Sequence, residues 1–256
     1  MTTPKIETVH RNDSRLYVWD GGEFPGVTSV VGMLPKPVLQ YWAAKKVAEA
    51  AVERGTVTTK DLHWLKNAPK RDLNQAAEKG SSVHDTLDKL VNGEEVDIAD
   101  DERGFIDGFY QFCDRYDPDF IRTEETVHGA VGGYGYCGSF DALIDVTDET
   151  WLIDFKTTRS GVHPEVAIQL AAYANAFSII HPDGSSESMP KIDRFGVLWL
   201  RPEEWAFVEL NITQDQDDPA FKTFGALLTA WHWENRLKKR AIGTQQASGR
   251  SSAAPF

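Results

Sequence analysis

Hydrophobic and polar positions along the 256-residue chain switch repeatedly between strand and helix period. Leu16–Asp20 alternates as a strand and meets Gly21–Gly22, a hairpin-type turn signal. After Pro35–Lys36–Pro37 the run VLQYWAAKKVAEAAVERG has helical spacing and stops at Gly55. Further helices are expected over Thr59–Asn67, from Leu73 to Val91, and from Asp100 to Tyr116, before Asp117–Pro118. The period then shortens. Phe120–His128, Gly135–Val146 and Thr150–Thr157 read as strands, joined at Gly132–Gly133 and at Thr147–Asp148–Glu149. His163–Ile180 returns to helical spacing, Arg194–Leu200 and Trp205–Leu210 form another strand pair, and Asp218–Lys239 is a closing helix.

Helices first, then strands, a helix, strands and a helix predict an α/β fold with a mixed central β-sheet flanked by helices and a helical N-terminal part. The expected organisation is an N-terminal hairpin and helical part over 1–79, a core over 80–240, and a polar, Ser/Ala-rich flexible tail over 241–256. A hydrophobic content of 41% suffices for a sizeable core. No apolar run at the N-terminus suggests a signal peptide, and no stretch is apolar enough to span a bilayer, so a cytoplasmic protein is expected. Two cysteines, Cys113 and Cys137, are too few for a disulfide framework or a four-thiolate metal site.

A net charge of −12 looks unfavourable for a nucleic-acid partner, but its distribution changes that picture. Residues 1–80 carry 12 Lys+Arg against 9 Asp+Glu, whereas residues 81–154 carry 4 against 19. The acid excess therefore sits in one segment, and the basic residues of the N-terminal helices, among them Lys45, Lys46, Lys70 and Arg71, offer a face to phosphates or simply a solvated surface.

The acidic segment holds the candidate chemistry. Gly138-Ser139-Phe140-Asp141 and Asp154-Phe155-Lys156-Thr157 lie on neighbouring expected strands, and two carboxylates ending near one point make an oxygen-rich site suited to Mg²⁺ or Mn²⁺. Asp154 and Lys156 are two apart, so they share a strand face, which lets Lys156 orient or deprotonate a water beside the metal. Phe155 points into the core and leaves its backbone carbonyl as a further ligand. A half-exposed strand also alternates charges in this way, so the pair alone is weak. His84 on a helix adds a nitrogen donor. Glu124, or its neighbour Glu125 on the opposite face, adds a carboxylate. Gln169 and Tyr173, four apart, share a helix face and can hold Lys156 or a phosphate backbone.

Taken in order, Gly-x-x-x-His at Gly80–His84, Gly-Ser-Phe-Asp, Asp-Phe-Lys-Thr and Gln-x-x-x-Tyr resemble the RecB-type branch of the PD-(D/E)XK nucleases. Val27–Val31, Leu34-Pro35-Lys36-Pro37 and Trp42-Ala43 are similar to phage-encoded exonucleases of that branch. The resemblance implies a restriction-endonuclease-like core over about 80–240 and a metal-dependent DNA exonuclease of recombination, replication or end processing in a bacterial cell. It implies His84, Asp141, Asp154 and the Phe155 carbonyl as metal ligands and Lys156 as base or water-positioner, with Glu124, Gln169 and Tyr173 in the catalytic site. It further implies Mg²⁺ or Mn²⁺ as cofactor and DNA as partner, with a single-strand annealing or replication protein beside it. Relatives with an iron–sulfur cluster carry four cysteines, so none is expected here. Nor is a nucleotide cofactor, since the G-x-x-x-x-G-K-[ST] loop is missing. A structure-specific or restriction-type endonuclease would use the same site, and a silent binding module would keep only the fold.

Overall fold

The computed structural model describes residues 6–11 and 14–244. An N-terminal three-stranded antiparallel sheet consists of β1 (Thr8–Arg11), β2 (Ser14–Trp19) and β3 (Gly22–Pro25), in that order. The β2–β3 hairpin turns where sequence placed it, with Gly21 at φ 72°. Then come α1 (Val27–Val31), α2 (Val38–Arg54), α3 (Leu62–Lys66), α4 (Ala68–Val91) and α5 (Arg103–Tyr116). Gly55 at φ 75° ends α2, a conformation that costs glycine little. α4 is continuous from Ala68, so residues 79 and 80 lie within one helix.

The main sheet has seven strands: β4 (Asp119–Val131), β5 (Tyr134–Val146), β6 (Glu149–Lys156), β7 (Ser178–Ile180), β8 (Ser186–Ser188), β9 (Arg194–Leu200) and β10 (Trp205–Glu209). Their order is β10-β9-β6-β5-β4-β7-β8, and only β6 and β9 pair in parallel. Two helices complete the fold: α6 (Glu165–Ala174) before β7, and α7 (Pro219–His232) after β10. This is a mixed α/β core with helices on both sheet faces. One core joins α1, α6 and α7 to the sheet through Tyr136, Leu152, Leu170 and Phe224. The other joins α4 and α5 to it through Leu87, Phe112, Ile153 and Leu198.

Two expectations are corrected. The helix expected over His163–Ile180 ends at Ala174, and Ser178–Ile180 form β7 against Thr126–His128. An apolar Ser-Ile-Ile run satisfies either period, and the free edge of β4 decides it. The helix expected over Asp218–Lys239 is α-helical only to His232, continues as a π-helical turn over Trp233–Leu237, and closes in a 3-10 turn over Lys238–Ala241. The expected tail falls almost wholly outside the described residues. Among the described residues no helix is long and apolar enough to cross a membrane.

Candidate metal and nuclease site

The site forms where the sheet opens. The β5–β6 ladder ends at Ala142–Ile153, and the next residues outward are Asp141 and Asp154. Past that point the Phe155 amide donates to Asp141 Oδ2 at 2.6 Å, so a side chain takes over the hydrogen bond that a continuing ladder would supply. On the other side of β5, the pairs Thr123–Ala142 and Glu125–Phe140 place Glu124 opposite Asp141. Glu124 has φ 54°, in the left-handed region that non-glycine residues enter at a cost. The strand's facing changes phase here too. Tyr136 and Phe140 pack into the α6–α7 core, as does Leu143, whereas Ala142 and Ile144 face α5. Strict alternation cannot place Phe140 and Leu143 on one side, so the chain slips by one residue across Asp141.

α4 supplies His84 from one face of the sheet. Val83 and Leu87 are buried in the core and fix that helix. Its ring stands edge-on to Phe155 at 5.9 Å, with Nδ1 3.7 Å from Asp141 Oδ2. His84, Glu124 and Asp141 each bring one donor atom to within 4.8 Å of the others. All three are buried, and neither His84 Nδ1 nor Glu124 Oε2 has a hydrogen-bond partner among the described residues. Buried unpartnered acceptors are costly, so these two, converging with the Asp141 carboxylate, fit a cation as their common partner. Burial, then the charge of Asp141, pushes the Glu124 carboxyl up to about 9. Burial likewise raises Asp141, and lowers His84 to about 4, leaving a neutral imidazole able to ligate. The structure thus brings Glu124 rather than Glu125 to the cluster, although both are buried.

From the opposite face, α6 presents Gln169, which donates to Asp154 Oδ1 at 2.8 Å and to the Tyr173 hydroxyl at 3.3 Å. The other Asp154 oxygen meets the Lys156 ammonium. Burial drives Asp154 up to about 6 even with Lys156 pulling the other way. Burial would lower Lys156, but the charges of Asp154 and Asp141 outweigh it and hold the ammonium above its usual range. Asp154 and Lys156 share a face as their spacing predicts, while Phe155 turns into the α5 core. Asp154 stands beside the three-donor cluster, one oxygen hydrogen-bonded to Gln169 and the other in the ion pair with Lys156.

Sequence reasoning missed three supports. Glu102, at the start of α5, accepts from Ser82, Thr86 and Lys79 of α4. Burial opposes its ionisation, but those bonds win and keep the carboxyl below its usual range, pinning the turn that carries His84. Arg201 donates to the Thr157 carbonyl and Trp199 to that of Thr158, fixing the chain after Lys156. Thr28 on α1 and Arg15 on β2 line the cleft of about 220 Å³ that reaches His84, Asp141, Asp154 and Lys156. Glu102 carried no local signal, because its partners lie about 20 positions away.

Gly138 explains the start of the Gly-Ser-Phe-Asp run. A Cβ there would lie 2.4 Å from Tyr173 Cε1 and 2.9 Å from Val27 Cγ2. Tyr173 is fully buried and tied to Gln169, so it has little room to yield. Gly138→Ala is expected to cost about 1–3 kcal/mol by overpacking. Denaturant unfolding measures this, and an unchanged midpoint would contradict the tight contact.

The basic N-terminal face is largely committed internally. Lys46 pairs with Asp72 and Glu49, Lys45 with Glu49, and Arg71 lies 4.6 Å over Trp64.

No family model matches the sequence, and no curated protein does. Among solved structures, a crystal structure of SSO0001 is similar to this chain at 15% identity, covering 79% of this chain and 89% of that one with a TM-score of 0.38, a distance at which the likeness assigns no family.

Proposed function

We propose that the chain is a metal-dependent deoxyribonuclease with a restriction-endonuclease-like PD-(D/E)XK core, acting as an exonuclease at DNA ends in a bacterial or phage setting. The convergence of His84 Nδ1, Glu124 and Asp141 on one point beside the Asp154–Lys156 pair carries this reading. Those three residues would hold Mg²⁺ or Mn²⁺, which supplies neutralisation of phosphate charge and activation of the attacking water.

The chain's own groups divide the remaining work. Gln169 and Lys156 orient the Asp154 carboxylate, and the Phe155 amide orients that of Asp141. Lys156, held as an ammonium, donates hydrogen bonds to the water and to the phosphate oxygens rather than taking a proton. The neutral His84 ring adds no positive charge to compete with a cation. In the reaction, a water oxygen bonds to phosphorus while the bond from phosphorus to the leaving sugar oxygen breaks. The water's proton passes to solvent, and solvent protonates the leaving oxygen.

The deciding assay incubates the protein and Mn²⁺ or Mg²⁺ with end-labelled linear DNA and, separately, with covalently closed circles. Loss of linear DNA alone is the expected result. Nicked circles would make the same site an endonuclease, and no cleavage of either with either ion would leave a silent binding scaffold.

A further inference from the structure

The cleft around the metal cluster does not end at the cluster. Arg15 and Thr28 line it, and both also line a larger groove of about 740 Å³. One side of that groove is α1 with Thr28 and Ser29. The other is the C-terminal segment, where Trp231, Glu234, Asn235, Lys238 and Lys239 recur at helical spacing. This wall is anchored, because Trp231 Nε1 donates to Ser14 Oγ and Arg236 donates to the Glu23 carbonyl. It also contains the π-helical turn, a rare geometry concentrated at functional sites.

The groove's composition indicates its occupant. Arg15, Lys238 and Lys239 line it against one acid, Glu234, which pairs with Lys238, so the lining stays net cationic in an otherwise acidic protein. Trp231, the aromatic of the lining, is buried, so stacking on bases is unavailable and recognition falls to charges and hydroxyls. The adjoining cleft at the site is smaller, about 220 Å³, and lies between Val27 and Thr28 of α1 and Ala76, Ala77 and Gly80 of α4. A cleft of that size suits one strand, and the small residues of α4 let its backbone approach closely.

Resting on the nuclease reading above, we propose that the groove lined by Arg15, Ser29, Asn235, Lys238 and Lys239 is the track that leads a single DNA strand to the His84–Glu124–Asp141 donor cluster, gripping its phosphates without regard to sequence.

The test binds the full chain to a labelled 20-nucleotide single strand in Ca²⁺ across a salt series. It compares wild type, K238E/K239E, and K66E/K89E as a control of equal charge change. The groove variant should bind about ten-fold more weakly, and its slope of log K against log salt should flatten by about 0.7 per lost contact. Its hydrolysis of a mononucleotide nitrophenyl ester, too short to reach the groove, should match wild type in Mn²⁺. The control should keep wild-type slope. If wild type cleaves DNA but K238E/K239E keeps affinity and slope, or loses no more than the control, the track is wrong while the nuclease reading stands. Equal affinity of wild type for blunt duplex and single strand would also overturn it. If wild type neither binds nor cleaves DNA, the nuclease reading itself fails.

Discussion

Replacing Lys156 by alanine is expected to reduce DNA cleavage by about 10²–10³-fold, the range typical for loss of a positioned charge-stabilising donor. Lys156 is the ammonium in contact with Asp154, and it lies on the strand face that opens to the cleft. Phosphoryl transfer spreads negative charge over the oxygens around phosphorus, and a fixed cation at the rim lowers that barrier. The same substitution should leave Mn²⁺ affinity unchanged or raise it, because it removes a positive charge near the donor cluster while sparing His84, Glu124 and Asp141. Lys156→Arg, which keeps charge but changes reach and geometry, should recover part of the lost rate. Calorimetry with Mn²⁺ and single-turnover cleavage read these quantities separately. Wild-type turnover in Lys156→Ala would remove the residue from the mechanism.

Glu124→Gln should separate stability from function in the opposite direction. In the metal-free protein Glu124 is a buried carboxyl facing Asp141, and burial together with that charge lifts it to about 9. A folded value above the unfolded one of about 4.3 means the folded state binds the extra proton. The resulting stabilisation is complete below the unfolded value and is lost as pH rises towards 9. Asp154, raised to about 6, contributes with the same sign over a lower window. The metal-free wild type should therefore melt at progressively lower temperature as pH climbs from 6 to 9, and Mn²⁺ should restore more of its Tm at pH 8.5 than at pH 6. Glutamine cannot ionise, so Glu124→Gln should flatten this loss, raise the metal-free Tm at pH 8.5, and abolish both the Mn²⁺-induced rise and DNA cleavage. Stabilisation with loss of function is the signature of a site whose repulsion is offset by a ligand. A scanning calorimeter settles it. A Mn²⁺-induced rise that survived in Glu124→Gln would place the cation elsewhere.

Period and punctuation alone determined much of this protein. β2, the β2–β3 turn, α2 with its stop at Gly55, α4, α5 and the strands β4–β6, β9 and β10 were legible within a few residues. So was the shared face of Asp154 and Lys156, since a strand alternates whatever its neighbours are. Gln169 and Tyr173 fell on one helix face for the same kind of reason, and in the structure Gln169 donates to Asp154 and to the Tyr173 hydroxyl.

What needed the tertiary structure was every feature that closes across distance. Ser178–Ile180 reads equally well as the end of a helix, and only the open edge of β4 makes it a strand. Glu124 and Glu125 are indistinguishable to a period-two pattern, whereas the left-handed backbone at Glu124 and the slip at Asp141 arise from two strands leaving regular pairing together. Glu102 holds the His84 turn from the next helix, and Lys46 of α2 pairs with Asp72 of α4. The groove joins residues near 15, 28 and 238, three points that sequence sees as unrelated. Local spacing sets which face a residue occupies, because covalent geometry repeats along the chain. Which faces then meet, and which charges stay unpartnered once they do, depends on packing between segments that no local window contains.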